Sequence, residues 1–203
     1  ILRDLGKMEN AEMALIKAIN IKPNIAEVHS NLGSVMRNLG KLKEAEISYR
    51  RAIKLKPSFA EAHYNLGNIL KDTGKLNEAI ISISKAIKLK PNFANAHNNL
   101  AGILRNLGKL KEAESSQRIA IKLEPSWANA HYNLGYILID SNKLNAAIAS
   151  FEKAMELKMN RDLCLAGIGN VLLKKGMFVE GLKKLQEAEG SIKFDIANGL
   201  TIF

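Results

Sequence analysis

Two sets of residues able to do chemistry recur through the sequence at one spacing. His29, His63, His97 and His131 each stand 34 residues after the one before, and so do Asn31, Asn65, Asn99 and Asn133. A set of histidines invites a metal ion. Two ligands on one zinc need ring nitrogens about 2.0–2.1 Å from the ion, whereas residues copied once per structural unit lie about a helix-pair width apart. No Asp, Glu or Cys recurs beside the histidines at ligand spacing. They are expected to pack between helices, with no metal and no other cofactor. The asparagines ask for a different reason, because Asn is a poor helix former on a helix surface. Each offers one acceptor and two donors. A row of them suits the backbone amides of an extended peptide, largely whatever its sequence. The alternative is that duplication copied a neutral Asn, or that the side chain bonds between units.

The other candidates for chemistry fail on spacing. Gly67 with Gly74-Lys75 resembles a phosphate loop, but six residues separate the glycines and Leu76 follows the lysine. The motif needs four residues and a Ser or Thr. Gly33 with Gly40-Lys41 fails in the same way, so these residues are read as helix caps. Cys164 is the single cysteine, and no His or carboxylate is placed by sequence to activate it. A buried structural thiol is the expected role. No triad, carboxylate pair or nucleotide motif occurs, and the chain is read as non-enzymatic.

The elements behind both ladders follow from the same period. Pro23, Pro57, Pro91 and Pro125 share it, as do Ala45, Ala79, Ala113 and Ala147. Counting from Ala26 divides the chain into repeats 26–59, 60–93, 94–127, 128–161 and 162–195. Residues 1–25 form a partial repeat, with Gly6 in phase, and 196–203 a truncated remainder. Each repeat reads as two helices. In 60–93 the run Ser58-Phe59-Ala60-Glu61 predicts a capping box at the first helix, and Asn24 with Glu27 repeats it. Leu66 and Leu70 give an apolar stripe, Gly74 a left-handed helix end, and Leu76, Ala79, Ile80, Ile83, Ala86 and Ile87 a second stripe that Pro91 stops. Gly67, Ala79 and Ala86 are placed where helices must approach closely. The last repeat diverges, with Gly181 for Ala and Lys193 for Pro, as terminal repeats often do. The apolar tail from Ser191 to Phe203 is expected to pack on something.

His63, Leu66, Gly67, Leu70, Ala79, Ile83, Ala86 and Pro91 stand where the tetratricopeptide repeat has its signature residues. Essentially the whole chain resembles that family, with His in place of the usual Trp. The run Ala-Glu/Asn-Ala-His-x-Asn-Leu-Gly is most similar to the repeat arm of O-linked N-acetylglucosamine transferases and related bacterial repeat proteins. The resemblance implies an all-α, right-handed superhelical solenoid of helix-turn-helix repeats whose first helices line a concave face. It also implies that Asn31, Asn65, Asn99 and Asn133 clamp a peptide backbone there.

Neighbouring first-helix positions would tune the choice of ligand. Tyr64 and Tyr132 flank the ladder, and Ser34, Asn68, Gly102, Tyr136 and Asn170 follow one turn later. Arg37, Lys71 and Arg105 make one half of the face basic, where Ile139 and Leu173 follow in the other half. An acidic peptide suits the basic half through charge-assisted bonds; a solvated face with acidic neighbours such as Asp72 is the alternative. The function expected is a protein-interaction module for an extended peptide. A substrate-recruiting arm of a larger enzyme, such as a glycosyltransferase, and a scaffold that self-associates through the solenoid ends are the alternatives.

Composition agrees with this reading. The 203 residues are 47% hydrophobic and only 5% aromatic, so Leu, Ile and Ala must build the core. Mean hydropathy is −0.09, and no apolar run reaches the roughly 18 residues of a membrane span. The net charge of +10 keeps acidic partners open. Nucleic acid is disfavoured, because helix-end placement already accounts for many lysines and stacking aromatics are sparse. Position 1 is Ile, so the sequence is expected to be a piece of a longer protein. The lack of a signal pattern and of an Asn-x-Ser/Thr sequon points to the cytoplasm, with a bacterial periplasm as the alternative.

Overall fold

A computed structural model describes the backbone of residues 2–189, 192–195 and 199–202, and the side chains of residues 6–188. Helices α1 (Leu2–Ile21), α2 (Ala26–Asn38), α3 (Leu42–Leu55), α4 (Ala60–Asp72), α5 (Leu76–Leu89), α6 (Ala94–Asn106), α7 (Leu110–Leu123), α8 (Ala128–Asp140), α9 (Leu144–Glu156), α10 (Arg161–Lys174) and α11 (Phe178–Glu189) follow in turn. The class is the all-α helix-turn-helix solenoid. Strands β1 (Ile192–Asp195) and β2 (Gly199–Ile202) then pair antiparallel, Ile192 opposite Ile202. The side chains of the apolar tail lie outside the described residues. The chain divides into two compact units, Ile1–Ile103 and Leu104–Phe203.

Each first helix ends in a Schellman motif. The Gly40 N–H donates to the Arg37 carbonyl at 3.0 Å and the Lys41 N–H to that of Met36 at 2.9 Å, the bond pattern that calls for a left-handed residue at the turn. Gly40, Gly74, Gly108 and Gly176 supply φ values of +71° to +79°, and Asn142 takes the same role at +57°. Lys158, at +64°, closes α9 likewise where Met159 stands in place of the repeated proline. Gly6 shares the phase of Gly40 but ends nothing: α1 runs through it unbroken. The predicted capping boxes do not form either. Helices α2 and α4 start at Ile25 and Phe59 without a side-chain cap. Glu27 and Glu61 instead reach Lys56 at 2.7 Å and Lys90 at 3.1 Å. Among the helices with a described cap, only α10 has a side-chain one, Asn160 accepting from the Leu163 N–H at 3.0 Å.

In the first unit Leu32, Tyr49, Leu66, Ile69, Leu70, Ile83 and Ile103 form the core. A Cβ on Gly67 would lie 2.4 Å from Ile83 Cγ1, and one on Gly33 2.8 Å from the Tyr49 ring. The glycines therefore exist to admit the large residue of the paired second helix. In the second unit Phe151 fills that role for two glycines at once, Gly135 and Gly167, within a core of Leu134, Leu138, Cys164, Ile168 and Val171. Burial pushes the Cys164 thiol up, away from the reactive thiolate.

Candidate functional site

The histidine ladder has a structural partner. Nε2 of His29, His63, His97 and His131 lies 2.8, 3.0, 3.0 and 2.9 Å from the carbonyls of Pro23, Pro57, Pro91 and Pro125. A carbonyl only accepts, so each Nε2 carries the proton and donates. Each bond ties a first helix to the turn that precedes it.

The asparagines divide by what their amides already hold. In the first unit, Asn31 is exposed on α2 and Asn65 half-buried on α4, and neither side chain has a hydrogen-bond partner among the described residues. Asn99 on α6 is committed: its Nδ2 donates to Asn68 Oδ1 at 2.7 Å and to the Tyr64 hydroxyl at 3.0 Å, and Asn98 Nδ2 donates to its Oδ1 at 3.2 Å. Asn68 is buried, and Tyr64 also packs on Phe93 with ring centroids 4.7 Å apart. At this rung the sequence alternative of bonding between repeats is the one observed.

The basic residues meet carboxylates. Arg37 lies 3.4 Å from Asp72, the residue it faces on the next first helix, and Lys71 lies 3.6 Å from the other oxygen of Asp72. In the second unit Arg105 pairs with Asp140 and stacks over the Tyr136 ring at 5.2 Å. Tyr132 and Tyr136 share a hydroxyl contact of 3.2 Å and stand edge-on to Phe151. Burial, then the Tyr136 phenol, pushes the Tyr132 hydroxyl well above its ordinary value. Tyr132 is thus half a core residue, and Asn133 beside it on α8 is half-buried.

Sequence reasoning missed a pairing that places five of the lysines. Lys41, Lys75 and Lys143 reach Glu12, Glu46 and Glu114, each 29 residues earlier, at 2.7–2.9 Å. Lys56 and Lys90 make their own 29-residue pairs with Glu27 and Glu61. The repeat spacing held the signal, since Glu12, Glu46 and Glu114 stand five positions after Lys7, Lys41 and Lys109, in the repeat before the lysine each one meets, while Ile80 and Ile148 stand there after Lys75 and Lys143.

Models of the tetratricopeptide repeat match residues 60–93, 1–25 with 128–160, and 83–115, and a model described as TPR repeat matches 35–74. No curated protein sequence matches the chain. Among solved structures, the chain is similar to YrrB, described as a TPR protein with an unusual peptide-binding site, at 22% identity and a TM-score of 0.76 over 87% of this chain and 93% of that one. It is also similar to a MamA structure, at 27% identity and 0.72 over 77% and 92%. PilF of Pseudomonas aeruginosa gives 18% and 0.78 over 91% and 86%. No described helix is long and apolar enough to cross a membrane.

Proposed function

We propose that this chain of tetratricopeptide repeats is a non-catalytic protein-interaction module that holds an extended partner segment against its first helices. The observation that carries the reading is the contrast at the ladder. Asn31 and Asn65 keep their amide donors and acceptors for a ligand, while Asn68, Asn99 and Tyr64 next to them are already bonded to one another. A peptide backbone laid along α2 and α4 could take two bonds from each of the first pair at little ordering cost. The peptide-binding site of YrrB supports the same class of function, as does the likeness of the repeat residues to the arm of O-linked N-acetylglucosamine transferases. Arg37 and Arg105 would contribute through the carboxylates they already hold, so selectivity for an acidic peptide falls mainly to Lys71, whose contact with Asp72 is the longest of the three at 3.6 Å. Tyr64 would supply an aromatic wall. In the second unit Asn133 and Tyr132 occupy the corresponding positions on α8, and a ligand contact there belongs to the same proposal without resting on a free amide.

A peptide-library selection on the purified chain tests this. Binders should share an extended register with varied side chains, and Asn31→Ala with Asn65→Ala should weaken them by about tenfold or more. Binders that ignore both substitutions, or a selection that returns none, would sink the first-helix reading.

A further inference from the structure

The second helices of the first unit present an outer face that the proposed function does not use. Between α3 and α5 runs a groove of about 400 Å³, with Ile53, Leu66 and Ile81 as apolar lining and Arg50, Lys54 and Lys85 as cationic rim. The same groove recurs 68 residues later in the second unit, where Ala149 and Lys153 replace Ile81 and Lys85. Packing of neighbouring repeats makes the recess; the side chains decide what it can take.

Three observations set the first-unit groove apart. Ile81 is 70% exposed on its wall, and Ile47 and Met13, at the same place in the preceding repeats, are 68% and 54% exposed. Large apolar residues left open in line on one face mark an interaction surface. Next, Arg50, Arg51, Lys54, Lys85 and Lys88 occupy the last two turns of α3 and α5 with no carboxylate among them. Arg50 is held by Glu46 and Glu78 at 2.9 Å and Arg51 donates to Asn24, but Lys54, Lys85 and Lys88 have no ion pair among the described residues. The helix dipole accounts for a cation in the last turn, which covers Lys54 and Lys88. It does not cover Lys85 a turn earlier, nor the exposed isoleucines. Finally, in the second unit the counterpart Lys153 is taken by Glu156 at 2.7 Å, and Ala149 stands in place of the exposed Ile81.

We propose that the groove between α3 and α5 is a second docking surface, for an acidic partner segment that seats an apolar side chain against Ile53, Leu66 and Ile81 and sets carboxylates on Lys54 and Lys85. Charge selects this occupant. A second copy of a chain with net charge +10 would bring like charge to a basic face. A recess between helices fits one Leu- or Phe-sized side chain, which a flat lipid surface does not offer. The site is separate from the first-helix ladder, and its occupancy does not depend on it.

Fluorescence anisotropy with a labelled peptide of Glu and Asp carrying Leu at every fourth position tests the proposal on the intact chain. Two control peptides replace Leu by Ser or the acids by Lys, and vesicles of phosphatidylserine with phosphatidylcholine form a further arm. Ile81→Ser combined with Lys54→Glu changes only exposed side chains, and circular dichroism checks the fold. The acidic Leu peptide should bind, weaken with salt, and lose about tenfold or more in the variant. The control peptides should bind no better than to the variant. Asn31→Ala with Asn65→Ala should leave that affinity unchanged. Equal binding by the variant, equal binding of the Ser peptide, or no binding of the acidic peptide would overturn the proposal. Vesicle binding lost in the variant, without peptide binding, would overturn it in favour of an anionic membrane surface.

Discussion

The His97 imidazole donates from Nε2 to the Pro91 carbonyl at 3.0 Å, bridging the six residues that lead from one repeat into the next. His97 is buried, so water cannot easily replace the bond. Replacing His97 by Phe keeps an aromatic ring and strands the carbonyl, and should cost about 1–2 kcal/mol. His63→Phe breaks a bond exposed to solvent and should cost less. Urea unfolding of both variants checks this; equal losses would assign the stabilisation to ring packing and not to the bond.

Gly67 is small because Ile83 is large. The Cβ of Gly67→Ala would sit 2.4 Å from Ile83 Cγ1, on a side chain that is fully buried. Overpacking of this kind costs about 1–3 kcal/mol. In an Ile83→Ala background the added methyl should be neutral or stabilising, since it fills the space that Ile83 vacated. A double-mutant cycle on the unfolding free energies should therefore show strong coupling; additive losses would place the strain elsewhere.

The ladder asparagines should separate in their effect on stability. Asn99→Ala leaves buried Asn68 without the donor that now reaches it at 2.7 Å, at a cost of about 1–3 kcal/mol. Asn31→Ala removes an exposed side chain from a helix, and Ala is the better helix former. It should leave the thermal midpoint unchanged or raise it slightly. A drop for Asn31→Ala matching that for Asn99→Ala would mean that Asn31 is structural as well.

The period of 34 made the fold legible, because prolines and histidines recur with it and because Gly40, Gly74 and Gly108 recur where a left-handed residue must end a helix. The small-residue positions were legible for the same reason, although their partners, Tyr49, Ile83 and Phe151, emerge only when the helices pack. The capping boxes were not. Ser58 and Glu61 have the right spacing, but α4 starts one residue later than the box requires, and Lys90 from the same repeat's end competes for Glu61. Gly6 keeps the phase of Gly40 but lies within α1, because a glycine in phase ends a helix only if the chain turns there. The division among the asparagines was also hidden. Asn65 and Asn99 are identical in sequence context at Leu66 and Leu100, and differ because the repeat before Asn99 offers Asn68 and Tyr64, where the repeat before Asn65 has Ser34, which is bonded to Tyr49, and Ser30.

Glu46 and Glu114 predict how the fold responds to acid. The Lys75 ammonium holds the Glu46 carboxyl below its usual range, with burial acting against it and Arg50 adding to the effect. Lys143, against burial and with Arg118, does the same for Glu114. Both side chains are only 16% and 13% exposed, so salt screens these pairs less than open surface pairs. A carboxyl whose folded pKa lies below its unfolded value, about 4.3 for Glu, stabilises the fold fully above that value. The contribution disappears as pH falls through the depressed folded value. The urea midpoint should therefore be nearly flat from neutral pH down to about 5 and fall below about 4.3. Glu46→Gln with Glu114→Gln should lower the midpoint at neutral pH, by about 0.2–1 kcal/mol for each pair removed, and make the acid fall shallower. Glu27 and Glu61 are also held low, Glu27 first by Lys56 and Glu61 first by its own backbone amide at the helix start, so some slope should remain. A double variant that unfolds with acid as steeply as the parent would show that the 29-residue lysine–glutamate pairs do not carry the pH dependence.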